Sequence, residues 1–319
     1  MGGDRFTSAA VIGTGMMGPG IAVTLARGGV RTTLLSRTQA GAERGLETAR
    51  TQAARLATEG LLSAAEAEGA AAVLDASTDA DAAFARADLV VESAPEEMEF
   101  KQRLFARMDG IAKPEAVLAS NTSGLSITAI ASHCRHPERV VTTHFWNPPH
   151  LMPLVEIVLG DQTDPAVAEG LRKLLAACGK VPVIVKKDRP GQLGNRLQMA
   201  LVREAIHIVA EGIADAEAVD LVAKNGFGLR LPAYGIFEHQ DIVGLDLGMA
   251  VLDYVSHDLD GTRGTPDYAR ALMARGEKGA AAGKGFYDWS VKSQEEVKRR
   301  RDEFVIQVLR SRNSGTARE

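Results

Sequence analysis

The chain is short of cysteine, of basic charge and of long apolar runs, and each shortage excludes a class of protein. Cys134 and Cys178 are the only cysteines in 319 residues. With no CxxC spacing they suit a reducing compartment, which points to the cytoplasm. Lys and Arg total 37 against 41 Asp and Glu, a net charge of −4, which leaves no electrostatic footprint for nucleic acid. No run of about eighteen apolar residues could cross a membrane. The first thirty or so residues lack the charged and small-residue regions of a signal peptide. Asn121-Thr122-Ser123 then matches a glycosylation sequon by chance. Repeats and low-complexity linkers are absent too. What is present, 45% hydrophobic and 24% charged residues, describes a soluble protein with enough length for two domains with their own cores.

The first such domain announces itself at once. Ser8-Ala9-Ala10-Val11-Ile12 reads as a buried strand that runs into Gly13-Thr14-Gly15-Met16-Met17-Gly18, and Ile21 to Ala26 reads as a helix closed by Gly28-Gly29. In that strand-to-helix setting Gly13 permits a tight turn, Gly15 lets the backbone approach a pyrophosphate, and Gly18 lets helix and strand pack closely. The helix N-terminus, with Met16 and Met17 before it, faces the negative charge. The pattern predicts dinucleotide binding.

The end of the next strand, Arg31 to Leu35, departs from an NAD site. A carboxylate normally accepts the ribose hydroxyls about 20 residues past the glycines. Ser36-Arg37-Thr38 stand there instead. Nothing repels a 2′-phosphate, and Arg37 and Ser36 can hold one, so the local charge favours NADP(H). The alternative is a solvated arginine, with NAD bound less selectively.

From Thr38 to about Asp75 an Ala-, Glu- and Arg-rich stretch, broken near Gly60 and Gly69, predicts a solvated helical hairpin before the third strand, Asp88 to Glu92. Pro95-Glu96-Glu97 lie at that strand's C-terminal edge, ahead of a helix over about 100–110. In a doubly wound sheet that edge is where ligands sit. Glu96 and Lys101 are therefore candidate cofactor contacts, against an ordinary helix start with an acidic first turn. Val117 to Ala119 is the next strand and delivers Ser120-Asn121-Thr122-Ser123 to the same edge.

The stretch from there to Glu156 organises the chain. His144 closes the apolar run Val140 to Thr143, Asn147-Pro148-Pro149 forces a turn, and Leu154 to Val158 returns as a strand that carries Glu156. A carboxylate inside a strand wants a buried partner. His144 is the nearest with the right chemistry, and a His held by a carboxylate is a tuned general base. The other reading is a structural His beside a buried Glu. His150 follows two prolines and is expected to face outward, and His133, His136, His207, His239 and His257 are weaker candidates. A metal site of His144, His150 and Glu156 lacks a familiar spacing.

A helix over about 165–178 and a last strand, Val181 to Val185, lead to Lys186-Lys187-Asp188-Arg189-Pro190-Gly191, where the boundary is drawn. Residues 1–188 form the dinucleotide-binding domain and 189–319 a domain without strands. Its helices run over about 193–211, 216–224, onward to about 274, and finally 293–310, with a turn at 225–230. Lys298-Arg299-Arg300-Arg301 reads as a solvated helix face.

Several of these segments together resemble the 3-hydroxyacyl-CoA dehydrogenase superfamily over nearly the whole chain. They are Gly13-x-Gly15-x-Met17-Gly18, Ser120 to Ser123, His144-Phe145-Trp146-Asn147-Pro148, Leu154-Val155-Glu156, Asp188 to Gly191 with Asn195-Arg196, and Gly283-Lys284-Gly285-Phe286-Tyr287. The resemblance implies an α/β fold, a doubly wound Rossmann-type parallel sheet followed by an all-helical C-terminal domain that builds much of a homodimer interface. It implies His144 as catalytic base, Glu156 as its orienting partner, and Ser123 and Asn195 around the substrate oxygen. Glu96, Lys101, Ser123 and Asn147 would lie near the nicotinamide half. It also implies NAD(H), a small-molecule substrate and a place in fatty acid metabolism.

The departures concern substrate. The hairpin has no lysine, and its only basic residues are Arg44, Arg50 and Arg55, thin cover for coenzyme A phosphates. Gln192 stands where the family places an aromatic residue. Gly226-Phe227-Gly228-Leu229-Arg230 resembles members acting on small free hydroxy acids, such as L-gulonate and carnitine dehydrogenases, and Arg230 could clamp a carboxylate. A 3-hydroxyacyl-CoA thioester and a free 3-hydroxy carboxylate both remain open as substrates, with a crystallin-like structural role as a third alternative.

Overall fold

A computed structural model of the chain describes residues 6–313. Of these, 6–196 with 302–313 form one compact unit and 197–301 a second.

The first unit is built on one eight-stranded sheet in the order β3-β2-β1-β4-β5-β6-β7-β8. Its strands are β1 (Ser8–Ile12), β2 (Arg31–Leu35), β3 (Leu74–Ser77), β4 (Leu89–Glu92), β5 (Val117–Ser120), β6 (Val140–Phe145), β7 (Leu154–Leu159) and β8 (Val181–Val185). All neighbours are parallel except β6 and β7. β4, β5 and β6 are buried along their whole length, as Val- and Leu-rich strands covered on both faces must be. The helices α1 (Gly18–Arg27), α2 (Gln39–Thr58), α3 (Ala64–Ala72), α4 (Ala80–Arg86), α5 (Met98–Ile111), α6 (Ile127–Ile130) and α7 (Pro165–Ala177) flank it. Side-chain caps start several of them: Thr38 accepts from the Gly41 amide, Asp79 from Ala82, and Ser63 and Glu66 close a reciprocal capping box. Two apolar cores result, one joining α1, α2, α3 and α7 to the sheet, the other α4, α5 and α6.

Two details differ from the sequence reading. β3 is an additional strand at what reads as the end of the hairpin; its four residues, Leu-Asp-Ala-Ser, alternate apolar and polar over too short a run and with too small an apolar partner in Ala76 to announce a strand, and pairing with β2 makes it one. Gly69 does not break the hairpin, since α3 runs through it to Ala72. One glycine costs a helix only about 1 kcal/mol, and its alanine neighbours tolerate that.

The helical half comprises α8 (Gly194–Ala210), α9 (Ala216–Asn225), α10 (Phe227–Arg230), α11 (Ile236–Val243), α12 (Leu245–Ser256), α13 (Asp267–Ala274) and α14 (Gln294–Asn313). The stretch expected as a turn at 225–230 contains the single-turn α10, tucked so closely on α9 that a side chain at Gly228 would strike the Ala223 carbonyl. The end of α14 belongs to the first unit. Ile306 is buried in the core around α2 and α3, and Arg310 donates to the Glu59 carbonyl at 2.5 Å and its carboxylate at 2.9 Å. No helix among the described residues is long and apolar enough to cross a membrane.

Candidate active site

The order of the sheet reverses between β1 and β4, and ligands in such sheets lie beyond the strand C-termini at that point. Register keeps those ends level: Ile12 pairs with Glu92, Glu92 with Ser120, and Ser120 with Thr142. β7 is antiparallel to β6, so the beginning of β7 meets the end of β6. Four strand ends and one strand start therefore share one edge.

Gly13 to Gly18 span β1 and α1. Gly13 has φ 103°, which L side chains rarely adopt, and a Cβ there would strike the Ser93 carbonyl; a Cβ at Gly18 would strike the Gly13 carbonyl. A Cβ at Gly15 would meet nothing within 4 Å. The loop is thus closed against the protein at two glycines and open outward at the third. Met17 precedes α1 without a side-chain cap, so the first amides of the helix are left for an anion. This cradle fits the pyrophosphate of a dinucleotide. Met16 is largely exposed over it, and its sulfur accepts from Asn147 Nδ2 at 3.3 Å.

His144 and Glu156 are a directly opposed pair in the β6–β7 ladder. His144 is 5% exposed, Glu156 1%, and Nδ1 stands 2.8 Å from Oε2. Trp146 Nε1 donates to the same oxygen at 3.1 Å, and the amides of Leu193 and Gly194 each donate to Oε1 at 2.8 Å. Burial pushes the Glu156 carboxyl upward, but the hydrogen bonds from His144, the Gly194 and Leu193 amides and Trp146 outweigh it and hold it at about 2. An ionised carboxylate only accepts, so the Nδ1 proton of neutral His144 points at Glu156 and Nε2 carries the free lone pair.

Ser123 and Asn195 lie together: Asn195 Nδ2 donates to the Ser123 carbonyl at 2.9 Å, and the Ser123 amide donates to Glu96 Oε1 at 3.0 Å. The same oxygen of Glu96 accepts from Thr122 Oγ1 at 2.5 Å and the Gly124 amide at 3.2 Å. Burial opposes ionisation of Glu96, yet Thr122 and Lys101 prevail and hold it below the usual carboxylate range. Lys101 is enclosed behind this turn. It is 1% exposed, holds both oxygens of the buried Glu92 at 2.6 and 2.8 Å, and lies 3.4 Å from Glu96. Ser120 completes that cluster with a 2.6 Å bond to Glu92.

Ser36 and Arg37 follow β2, with Arg37 exposed. Gly41 lets the first turn of α2 approach Ser36, and Gly45 lets it approach Thr14, where a Cβ would come within 2.5 Å. Arg230 belongs to the second unit, where its guanidinium stands 3.0 Å from His239 Nε2. His150, expected to face outward, instead encloses both ring nitrogens. It packs on α1 beside Gly20, whose missing side chain admits it. Among the described residues no three metal-binding side chains cluster.

Sequence reasoning passed over several groups. Asn121 accepts from the Phe145 amide at 2.8 Å and so ties the end of β5 to β6 beside His144. Glu92, Trp146 and the Leu193 and Gly194 amides were not singled out for these roles; Gln192, noted for standing in place of an aromatic residue, is buried at φ 48° and donates to the Thr122 carbonyl at 3.2 Å. Asn121 carried a signal, its place after a strand end; backbone donors carry none.

The chain matches the family model described as 3-hydroxyacyl-CoA dehydrogenase, NAD binding domain, over residues 8–189, and that of the C-terminal domain over 191–289. It is 31% identical to 5-formyl-3-hydroxy-2-methylpyridine 4-carboxylate 5-dehydrogenase of Mesorhizobium japonicum, over 94% of this chain and 96% of the relative. To a probable 3-hydroxybutyryl-CoA dehydrogenase of Bacillus subtilis it is 35% identical, over 89% and 97%. A crystal structure of 5-formyl-3-hydroxy-2-methylpyridine 4-carboxylic acid 5-dehydrogenase, described as an NAD+-dependent dismutase, superimposes with a TM-score of 0.88 at 30% identity, covering 96% of this chain and 98% of that one. That of (S)-3-hydroxybutyryl-CoA dehydrogenase from Ralstonia eutropha does so with 0.72 at 30% identity, covering 89% and 99%. With both halves matched in order, and with relatives aligned over nearly their full length, the chain belongs to the 3-hydroxyacyl-CoA dehydrogenase family.

Proposed function

We propose that this protein is a nicotinamide-dependent dehydrogenase that oxidises a secondary alcohol β to a carboxyl group, with His144 as general base. The observation that carries the reading is the buried pair, His144 Nδ1 on Glu156 Oε2 at 2.8 Å, at the strand edge that also bears the glycine cradle. His144 Nε2 takes the hydroxyl proton, and Glu156, kept ionised by four donors, stabilises the imidazolium that forms. In the reducing direction the same nitrogen returns the proton to the carbonyl oxygen. A bound nicotinamide supplies the hydride acceptor or donor. Ser123 and Asn195 orient the substrate oxygen, and Gly13 to Gly18 hold the pyrophosphate. Glu96, braced by Lys101, and Asn147 serve the nicotinamide ribose side.

Two finer assignments follow. Arg37 and Ser36, without a neighbouring carboxylate, favour NADP(H), while family membership favours NAD(H). For substrate we favour a small free 3-hydroxy carboxylate. The hairpin offers only Arg44, Arg50 and Arg55, and the Mesorhizobium relative is named for a free pyridine carboxylate. The 3-hydroxybutyryl-CoA relatives support the thioester as the second reading. Paired titration with NADH and NADPH, then turnover of free 3-hydroxy acids and of acetoacetyl-CoA, separates these. Tight NADPH binding with acid turnover supports the first reading. NADH binding with brisk thioester turnover replaces it with the second. No turnover of either class returns the protein to a structural role.

We further assign a homodimer through the helical half. Large apolar side chains stand exposed on α11 and α12, Phe237 and Tyr254 at 84% each and Ile242 at 76%, and a partner surface would remove them from water. Sedimentation at micromolar concentration distinguishes dimer from monomer.

A further inference from the structure

Trp146 enters the roles above only as one of four donors to Glu156, yet its contact with the dyad is more specific than that. Its indole Nε1 lies 3.1 Å from Glu156 Oε2, the oxygen that His144 Nδ1 approaches at 2.8 Å. The indole and imidazole centroids are 5.7 Å apart with planes inclined by 53°, so the two rings stand side by side over one oxygen. The place is shaped for the indole: a Cβ at Gly194 would come within 2.5 Å of Trp146 Cζ2. The other carboxylate oxygen is taken by the Leu193 and Gly194 amides.

We propose that Trp146 is a positioning residue that sets how strongly Glu156 stabilises protonated His144, by donating its indole N–H to the carboxylate oxygen that holds the imidazole. The proposal rests on the dyad reading above. A hydrogen bond to an ionised oxygen draws charge from it, and a charge-assisted bond is about twice as strong as a neutral one. Two donors on one oxygen therefore compete, and the indole weakens what the imidazolium gains. Without it, Glu156 would favour the imidazolium form of His144 more strongly, and a smaller share of the protein would carry the free base that accepts a proton from an alcohol. The amide and indole donors do not titrate in this range. Among the strands flanking His144, β7 offers only Glu156 as an ionisable group, and the β5 residues paired with β6, Leu118, Ala119 and Ser120, offer none.

Trp146→Phe keeps an aromatic ring at this position and removes the donor, together with the part of the indole that lies against Gly194. The test is an NMR titration of the His144 imidazole in the unliganded protein, beside the pH profile of kcat/KM for alcohol oxidation. The expected result is an upward move of the titration midpoint by about half a pH unit, roughly threefold in proton affinity, with the acidic limb of kcat/KM moving equally and its high-pH plateau retained. Gly194→Ala, which pushes the indole off Oε2 without deleting it, should move the midpoint in the same direction, and it carries the test if Trp146→Phe does not fold. Midpoints identical to the parent in both variants reduce Trp146 to packing and overturn the proposal. A shifted midpoint in a protein that turns over no alcohol upholds the positioning role and sinks the dehydrogenase reading instead.

Discussion

Glu156 shows how the fold keeps a residue that is costly to bury. An uncompensated buried carboxylate is expensive, and four donors converge on this one. Its folded carboxyl is lowered from 4.5 to about 2. The protonated form is thus disfavoured on folding, and the contribution to stability is full above 4.5, on the order of 3 kcal/mol, and is lost as pH falls from there toward 2. Urea unfolding at pH 6 and pH 3 should show parent protein losing more stability than Glu156→Gln; equal losses would mean the carboxylate is not held as described. For His144→Gln the expectation is kinetic. Turnover falls by about 10²–10⁴-fold, the usual worth of general base catalysis, while coenzyme affinity stays within about twofold because the glycine cradle is untouched. Unchanged turnover would remove His144 from the mechanism.

Among the elements, the β1–α1 loop separates the demands of folding from those of binding. Gly18 faces the Gly13 carbonyl, whereas Gly15 faces open space. Gly18→Ala should therefore lower the melting temperature measurably, since a methyl group there must displace backbone. Gly15→Ala should leave the melting temperature within about a degree and weaken coenzyme binding at least tenfold by occupying the space the pyrophosphate needs, about 1.4 kcal/mol. Calorimetry and a coenzyme titration on both variants decide it; a destabilised Gly15→Ala would show that the loop is closed there too. The β6–β7 pair makes the same division. Its ladder places His144 opposite Glu156, while Asn121 fastens β6 to the end of β5 through the Phe145 amide.

At the scale of the molecule, the last helix returns to the first unit and closes a core begun near the other end of the chain. Ile306, 3% exposed, packs in the core that contains Leu56, Leu61 and Leu62. Ile306→Ala should cost about 2–5 kcal/mol, read as a loss of unfolding free energy in denaturant. A cost below about 0.5 kcal/mol would mean that the end of α14 does not stay docked. The sequence division at 188/189 differs from the compact units in two places: residues 189–196 stay with the first unit, where Leu193, Gly194 and Asn195 bond to Glu156 and Ser123, and the tail of α14 returns to it. The family models also change over between 189 and 191, but the core draws the tail of α14 back across that line.

The sequence by itself was enough for seven of the eight strands, the glycine cradle, the helical second half and the pairing of His144 with Glu156. These rest on local rules: apolar runs between turn residues, glycines where a backbone must come close, and a buried carboxylate that needs a partner. Tertiary structure decided the rest. β3 is a strand because β2 offers it an edge, Lys101 is enclosed because Glu92 lies behind it, and His150 turns inward because Gly20 leaves room. The other donors on Glu156 come from Trp146 and two backbone amides 37 and 38 residues further along. Residue type at one position says nothing of a backbone N–H brought there from another, and that convergence exists only once the chain has closed on itself.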